Sequence, residues 1–479
     1  MKQILVLLAI LALGLSANTA AWRGKTIYQV LTDRFWRTDN STAPCKNLGD
    51  YCGGTFVGLM RKLDYIVGMG FDAIWISPMV DNTPGGYHGY WARNWYQVNS
   101  NFGTKQDLIN LVNAAHAKGL WVMLDVVANH VGPVGFDYSQ IVPFNNNSNY
   151  HAYCQIQDWT NQWQVENCRL ADLPDLAQED PTTRQLLLNW VKDVVQTYKF
   201  DGLRIDTVPE VPKDFWSQYN QNSGVFTLGE VFDSRMSYVA GYQGPVDGVL
   251  NYPLYYTLRN VFQQGQSMNQ IQTYYQQSSS LYPDPTVWGN FIDNHDNPRF
   301  LYQNGDKIAF KAALAFTLSA VGIPIVYYGD EQAYGGGPDP NNREQLWTNF
   351  DTNSDIYQYI KTILTFRKKT QFYNNTQIQR WSDDTFYAFT RGNIFFAFTN
   401  SKSQQVRLIT YHPYSNGVTL CNLFYPSDCV IVTAGTFPVY LNNGEVKILA
   451  PKGTFEGESN EEIIENMEVE VDIDEEIFI

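Results

Sequence analysis

Short apolar runs alternate with helix-period stretches along most of this chain, and polar residues repeatedly close the apolar runs. Runs at 27–31, 73–76, 120–127, 225–228, 286–292 and 324–328 read as strands. Between them lie helix patterns at 56–67, 213–219 and 307–320. Thr104 is placed to cap a further helix whose apolar positions Leu108, Leu111, Val112 and Ala115 recur at helical spacing, with Gly119 as its stop. Pro181 after Asp180 opens another, which ends near Tyr198. Strand alternating with helix requires a parallel sheet covered by helices. So many cycles predict an α/β protein built on a (β/α)8 TIM barrel. No Gly-rich turn follows the first strand, as an open dinucleotide-binding sheet would need.

The rhythm breaks twice. Residues 131–180 are rich in Asn, Gln and aromatics without a long period, and read as a loop-rich subdomain inserted after the third strand. From about Thr376 the pattern changes to period-two apolar segments such as 385–389 and 393–398, which predict a C-terminal antiparallel β-sandwich domain at 376–455. The barrel is then expected at 22–130 and 181–375.

One strand carries an anomaly. Phe200-Asp201-Gly202-Leu203-Arg204-Ile205-Asp206 is apolar except for Arg204 and Asp206, which are two apart and share a face. Charges at the end of a buried strand are costly unless they pair or do chemistry. Other strand ends carry Asp125 to His130, Glu230, and Asp293-Asn294-His295-Asp296. Barrel enzymes build their sites at the carboxyl ends of the strands. Asp206, Glu230 and Asp296 would therefore meet at one mouth, with Arg204, His130 and His295 beside them. Two carboxyls facing each other across a polar substrate meet the requirement for glycosidic cleavage, one ionised and one holding a proton.

These residues and their neighbours resemble glycoside hydrolase family 13, in particular its secreted fungal-type α-amylases. The matching stretches are Asp125-Val126-Val127-Ala128-Asn129-His130, Gly202-Leu203-Arg204-Ile205-Asp206, Gly229-Glu230-Val231 and Phe291-Ile292-Asp293-Asn294-His295-Asp296. Gly86-Tyr87-His88-Gly89-Tyr90-Trp91 and Leu173-Pro174-Asp175-Leu176 add to them, and the likeness spans about 22–455. The resemblance implies an endo-acting, retaining α-1,4-glucan hydrolase. Asp206 would be its nucleophile, Glu230 its acid and then base, and Asp296 the residue that binds sugar hydroxyls. It implies that His88, Tyr90, Trp91, His130, Arg204, His295, Asp339 and Arg343 line the substrate. It also implies a calcium ion held by Asn129, Glu166, Asp175 and the carbonyl of Glu210; oxygen ligands suit that ion. Pro209-Glu210 is a departure, because close relatives have Lys-His there; the six cysteines are also fewer than in the fungal relatives. The alternatives are an α-glucosidase or glucan transferase of the same family, and a non-catalytic glucan-binding protein.

Composition limits the partners. The net charge of −15 argues against nucleic acid. Eleven acidic residues and no Lys or Arg lie at 456–479, so the rest is only mildly acidic, at about −4, and the tail reads as disordered. A basic start, the apolar run from Ile4 to Leu15 and the small residues to Ala21 describe a secretory signal at 1–21. The even cysteine count suits export, with local pairing of Cys45 with Cys52, Cys154 with Cys168 and Cys421 with Cys429 the simplest arrangement. Asn40, Asn146 and Asn374 head glycan acceptor triplets. A secreted monomer with no membrane span is expected.

Overall fold

The computed structural model describes residues 19–455. Residues 1–18 of the expected signal and the acidic tail 456–479 lie outside the described residues. Eight parallel strands form one sheet: β1 (Ile27–Gln29), β2 (Ala73–Ile76), β5 (Trp121–Val126), β6 (Gly202–Ile205), β7 (Phe226–Gly229), β8 (Gly248–Val249), β9 (Gly289–Asn290) and β10 (Ile323–Tyr327). Their order is β8-β7-β6-β5-β2-β1-β10-β9, and a bridge between Leu250 and Gly289 joins the two ends. This is the expected barrel.

Its interior is apolar and aromatic, with Trp22, Ile27, Trp75, Met123, Phe226 and Ile325 in one buried cluster. A larger core lies between the strands and the surrounding helices. The helix Lys105–Ala117 begins with the expected Thr104 cap, which Asp107 reciprocates as a capping box. Asp180 caps the helix Pro181–Tyr198 through the Thr183 N–H.

Several elements differ from the sequence expectation. The helix expected at 56–67 is two, Phe56–Arg61 and Leu63–Met69, separated by Lys62 in a non-helical conformation. The strand expected at 286–292 shrinks to the two residues of β9, because Pro285–Val287 is a helical turn. A short antiparallel hairpin, β3 (Val80–Asn82) with β4 (Ala92–Val98), interrupts the barrel after β2. It holds the 83–91 loop over the barrel mouth.

The insertion is mostly irregular. A bridge from His130 to Asp175 ties it back to the barrel, and one from Tyr150 to Leu176 joins two parts of the insertion itself. The C-terminal part is a six-stranded antiparallel sheet, β11 (Gln377–Ser382), β12 (Phe386–Arg391), β13 (Ile394–Thr399), β18 (Val446–Pro451), β15 (Thr419–Asn422) and β16 (Cys429–Ile431). A second sheet, β14 (Gln405–Ile409) with β17 (Phe437–Leu441), packs on it through Phe395, Ile409, Phe437 and Leu441. The cysteines pair locally: Cys45–Cys52, Cys154–Cys168 and Cys421–Cys429. Among the described residues, no helix is long and apolar enough to cross a membrane.

Candidate active site

Parallel pairing in register sets Asp125 on β5 opposite Arg204 on β6. Arg204 is fully buried. Its Nη1 lies 3.0 Å from Asp125 Oδ1 and 2.8 Å from Asp206 Oδ1, and its Nη2 lies 2.8 Å from Glu230 Oε1. One guanidinium thus holds carboxylates from the ends of three successive strands. A buried cation requires such partners, but three acids on one cation leave an excess of negative charge.

That excess divides the acids. Burial pushes Glu230 up to about 8, with the neighbouring Asp206 adding to the rise and Arg204 opposing it. Burial pushes Asp206 only to about 6, again against the pull of Arg204. Asp296 goes the other way. Burial opposes its charge, yet His295, Arg343 and Arg204 together hold it below the ordinary aspartate value, and it shares a hydrogen bond with Glu230. Near neutral pH the mouth therefore offers one protonated carboxyl beside two ionised ones. Thr207 N donates to Glu230 Oε2 at 3.2 Å, and the Tyr252 hydroxyl reaches Oε1 at 3.4 Å.

The hairpin loop supplies the opposite wall. The Tyr90 hydroxyl donates to Asp125 Oδ2 at 2.7 Å and lies 2.8 Å from His295 Nε2. His88 receives the Tyr90 N–H on Nδ1, and Trp91 meets the His88 ring edge-on. His130 Nε2 lies 3.2 Å from the Tyr90 carbonyl. Burial drives His130 down to about 4 and His295 to about 3, so both imidazoles are neutral. Arg343 sits 3.6 Å from Asp296 and 3.1 Å from Asp339, while its Nε donates to the His295 carbonyl. The structure brings all the expected acids and substrate-lining residues to one mouth.

Behind this mouth, the Asn129 carboxamide lies 2.9 Å from Asp175 Oδ1 and 3.1 Å from the Glu210 carbonyl. Turned one way, its nitrogen donates to both; turned the other way, three oxygens converge with no proton between them. The second arrangement is that of a hard-cation site. Glu166 approaches from the insertion: Gln162 Nε2 donates both to Glu166 Oε1 and to the Pro209 carbonyl, next to Glu210 in sequence. Among the described residues, no three His, Cys, Asp or Glu side chains have metal-binding spacing, because two of these donors are an amide and a main-chain carbonyl. The Glu210 carboxyl is buried, and its Oε2 has no hydrogen-bond partner.

The sequence reading did not single out Asp125, Tyr252 or Gln29 as site residues. Asp125 could have been found, since it closes a strand beside Asn129-His130. Gln29, whose Nε2 lies 2.8 Å from His295 Nδ1, closes β1 but looks like any polar strand end. Tyr252 stands in an aromatic-rich helix and carries no local signal.

Comparison with known proteins agrees with this geometry. The α-amylase catalytic domain profile matches residues 29–409. Alpha-amylase 2 of Schwanniomyces occidentalis is 39% identical over 464 residues, covering 91% of this chain and 92% of that protein. The α-amylase of Saccharomycopsis fibuligera is 39% identical over 460 residues, covering 91% and 92%. The solved α-amylase of Malbranchea cinnamomea superposes with a TM-score of 0.89 at 37% identity, covering 92% of this chain and 99% of that one. The chain belongs to the α-amylase family and is a glycoside hydrolase.

Proposed function

We propose that this protein cleaves internal α-1,4-glucosidic bonds of starch and glycogen with retention of the anomeric configuration. The observation that carries the reading is the Arg204 cluster, in which Asp206 and Glu230 share one guanidinium yet favour opposite protonation states near neutral pH.

In the first step Glu230 gives its proton to the glycosidic oxygen while Asp206 attacks the anomeric carbon. The carbon–oxygen bond breaks, the shortened glucan leaves as an alcohol, and a glycosyl ester forms on Asp206. Glu230, now ionised, takes a proton from water, whose oxygen attacks the same carbon and releases Asp206. Arg204 steadies both carboxylates between steps. Asp296 binds sugar hydroxyls and, as a nearby negative charge, favours the protonated form of Glu230. His88, His130 and His295, all held neutral by burial, offer hydrogen bonds without charge. Tyr90 and Trp91 give aromatic faces, and Asp339 and Arg343 bind at the rim.

Calcium, when bound, would tie the insertion to the barrel through Asn129, Glu166, Asp175 and the Glu210 carbonyl, as a structural cation. The three disulfides support an extracellular setting.

The test is maltoheptaose digestion in calcium, followed by proton NMR for anomeric form and product size. Shorter α-anomeric oligosaccharides are expected. Glucose alone would replace the reading with an exo-acting one, and no cleavage by folded, calcium-loaded protein would end it.

A further inference from the structure

We propose that a monovalent anion of chloride size binds between Arg367 and Ser319, at the end of the barrel opposite the catalytic mouth, and fastens the C-terminal sheet there. Two arginines meet at this point. Arg367 leaves the last turn of the helix Asp355–Thr370, and Arg391 ends β12. Both are buried, at 1% and 3% exposure. The Phe372 ring lies 5.5 Å from the first guanidinium and 5.8 Å from the second.

Among the described residues, these two differ from the other buried arginines. Arg34, Arg169, Arg204, Arg259, Arg299 and Arg343 each pair with a carboxylate. The acid whose field reaches Arg367 is Asp72, and it is already held by Lys368 at 3.2 Å and by the N–H and hydroxyl of Thr26. Burial pulls Arg367 down to about 9, with Arg391 adding to the fall, and pulls Arg391 down to about 10. A buried charge without a partner is costly. Here two like charges lie together.

Hydrogen bonds divide the pair. Arg391 caps a helix: its Nη1 donates to the Ser319 and Ala320 carbonyls at 3.2 and 2.9 Å. Its Nη2 donates to the Tyr373 carbonyl at 2.6 Å and its Nε to the Asn375 carbonyl at 3.1 Å. The carboxyl end of the helix Lys307–Ser319 offsets only about half a charge, against two full ones. Arg367 has one long bond, from Nη1 to the Leu318 carbonyl at 3.4 Å, while its Nε and Nη2 are buried and meet no acceptor in the protein. The Ser319 hydroxyl, on the residue between these contacts, is also buried and unpartnered. Unused N–H and O–H donors beside surplus positive charge are what an anion requires. Water would supply an acceptor but no charge; chloride supplies both.

The place gives the ion a structural task. The Lys368–Asp72 pair sets this helix end beside the start of β2, away from the catalytic acids. Two barrel helices and a strand of the C-terminal sheet converge there, so one anion would hold both domains. A cavity of about 470 Å³, walled by Tyr373, Asn375 and Gln377, reaches Arg391 and offers a way in.

The experiment follows the melting temperature of the calcium-loaded enzyme as sodium chloride replaces sodium methanesulfonate at constant ionic strength. The expected result is a saturable rise of about 2 °C that is lost in Arg367→Met. Ser319→Ala should need about tenfold more chloride for half the rise. Crystals soaked in bromide should show an anomalous peak within hydrogen-bond distance of Arg367 Nε. No rise with chloride, or a rise that survives Arg367→Met, would overturn the proposal. If Arg367→Met does not fold, an unshifted chloride midpoint in Ser319→Ala overturns it instead. A bromide peak without any thermal response would mean binding at crystal concentration only, and would overturn it too. Initial rates on maltoheptaose should not depend on chloride; rates that rise in step with the melting temperature would move the anion to the mouth and refute this site.

Discussion

Two clusters at the strand ends use the same parts and end differently. At the mouth, Arg204 gathers Asp125, Asp206 and Glu230, and Glu230 shares a hydrogen bond with Asp296. A few residues away, Arg299 pairs with Asp330 at 3.2 Å and Glu344 at 2.8 Å, Arg259 pairs with Asp293, and the Asp293 and Asp330 carboxyls share a hydrogen bond. Burial raises Asp293 and raises Asp330 well above the ordinary value, so the second pair is perturbed as well. The difference is access. The side chains of Asp293 and Asp330 are 0% and 1% exposed, whereas Asp296 keeps 28%. A displaced pKa marks burial among like charges; only an opening to the cleft turns it into chemistry.

The sharpest way to break this comparison is Glu230→Gln. It keeps the shape of the side chain and removes the proton donor, so kcat is expected to fall by about 10³-fold or more. Thermal unfolding should show the fold intact. An active variant would put the two clusters in one class.

Arg299→Met addresses the second cluster. Leaving buried acids without their cation is expected to cost about 3–5 kcal/mol of stability in urea titration. Turnover per folded molecule should be unchanged. A selective loss of turnover would mean that the sealed cluster takes part in the reaction.

Chelation comes next in size. The Asn129, Asp175 and Glu210 oxygens lie behind the first cluster. Removing calcium is therefore expected to lower both the melting temperature and the activity, by about 2.7 kcal/mol of stability if the ion was present at a hundred times its Kd. Excess calcium should restore both. No change in melting temperature would remove the cation from the account.

The smallest effect is in pH. The proposed mechanism needs Asp206 ionised and Glu230 protonated, so kcat/KM should fall below about pH 6 as Asp206 gains its proton and above about pH 8 as Glu230 loses its own. These limits belong to the pair rather than to either acid alone. A profile that stayed flat from pH 5 to 9 would show that the Arg204 cluster does not govern turnover.

The first cluster was largely legible in the sequence and the second was not. Arg204 and Asp206 break an apolar strand, and Glu230 and Asp296 close others, so periodicity alone exposes them. Asp293 sits in the same polar run as Asp296, but its partners Arg259 and Asp330 lie 34 and 37 residues away in unremarkable settings. Their pairing is a tertiary fact with no local trace. The barrel was readable wherever strands had three or more residues. β8, at two residues, was not, and β9 was read too long, because neighbouring strands rather than their own propensity hold these short pieces.

Those two short strands have a mechanical consequence. The cylinder is closed by a single bridge between Leu250 and Gly289, with Asn251 N donating to the Gly289 carbonyl at 2.9 Å. At Gly248 a Cβ would stand 2.2 Å from the Val287 carbonyl oxygen, so the walls approach too closely there for any side chain. The barrel is thus a band fastened by a small clasp beside the catalytic acids. Amide exchange should release this clasp before the longer ladders of β2, β5 and β6, and the sheet would unroll from there. The part of the protein that does the chemistry is then also where its hoop is weakest.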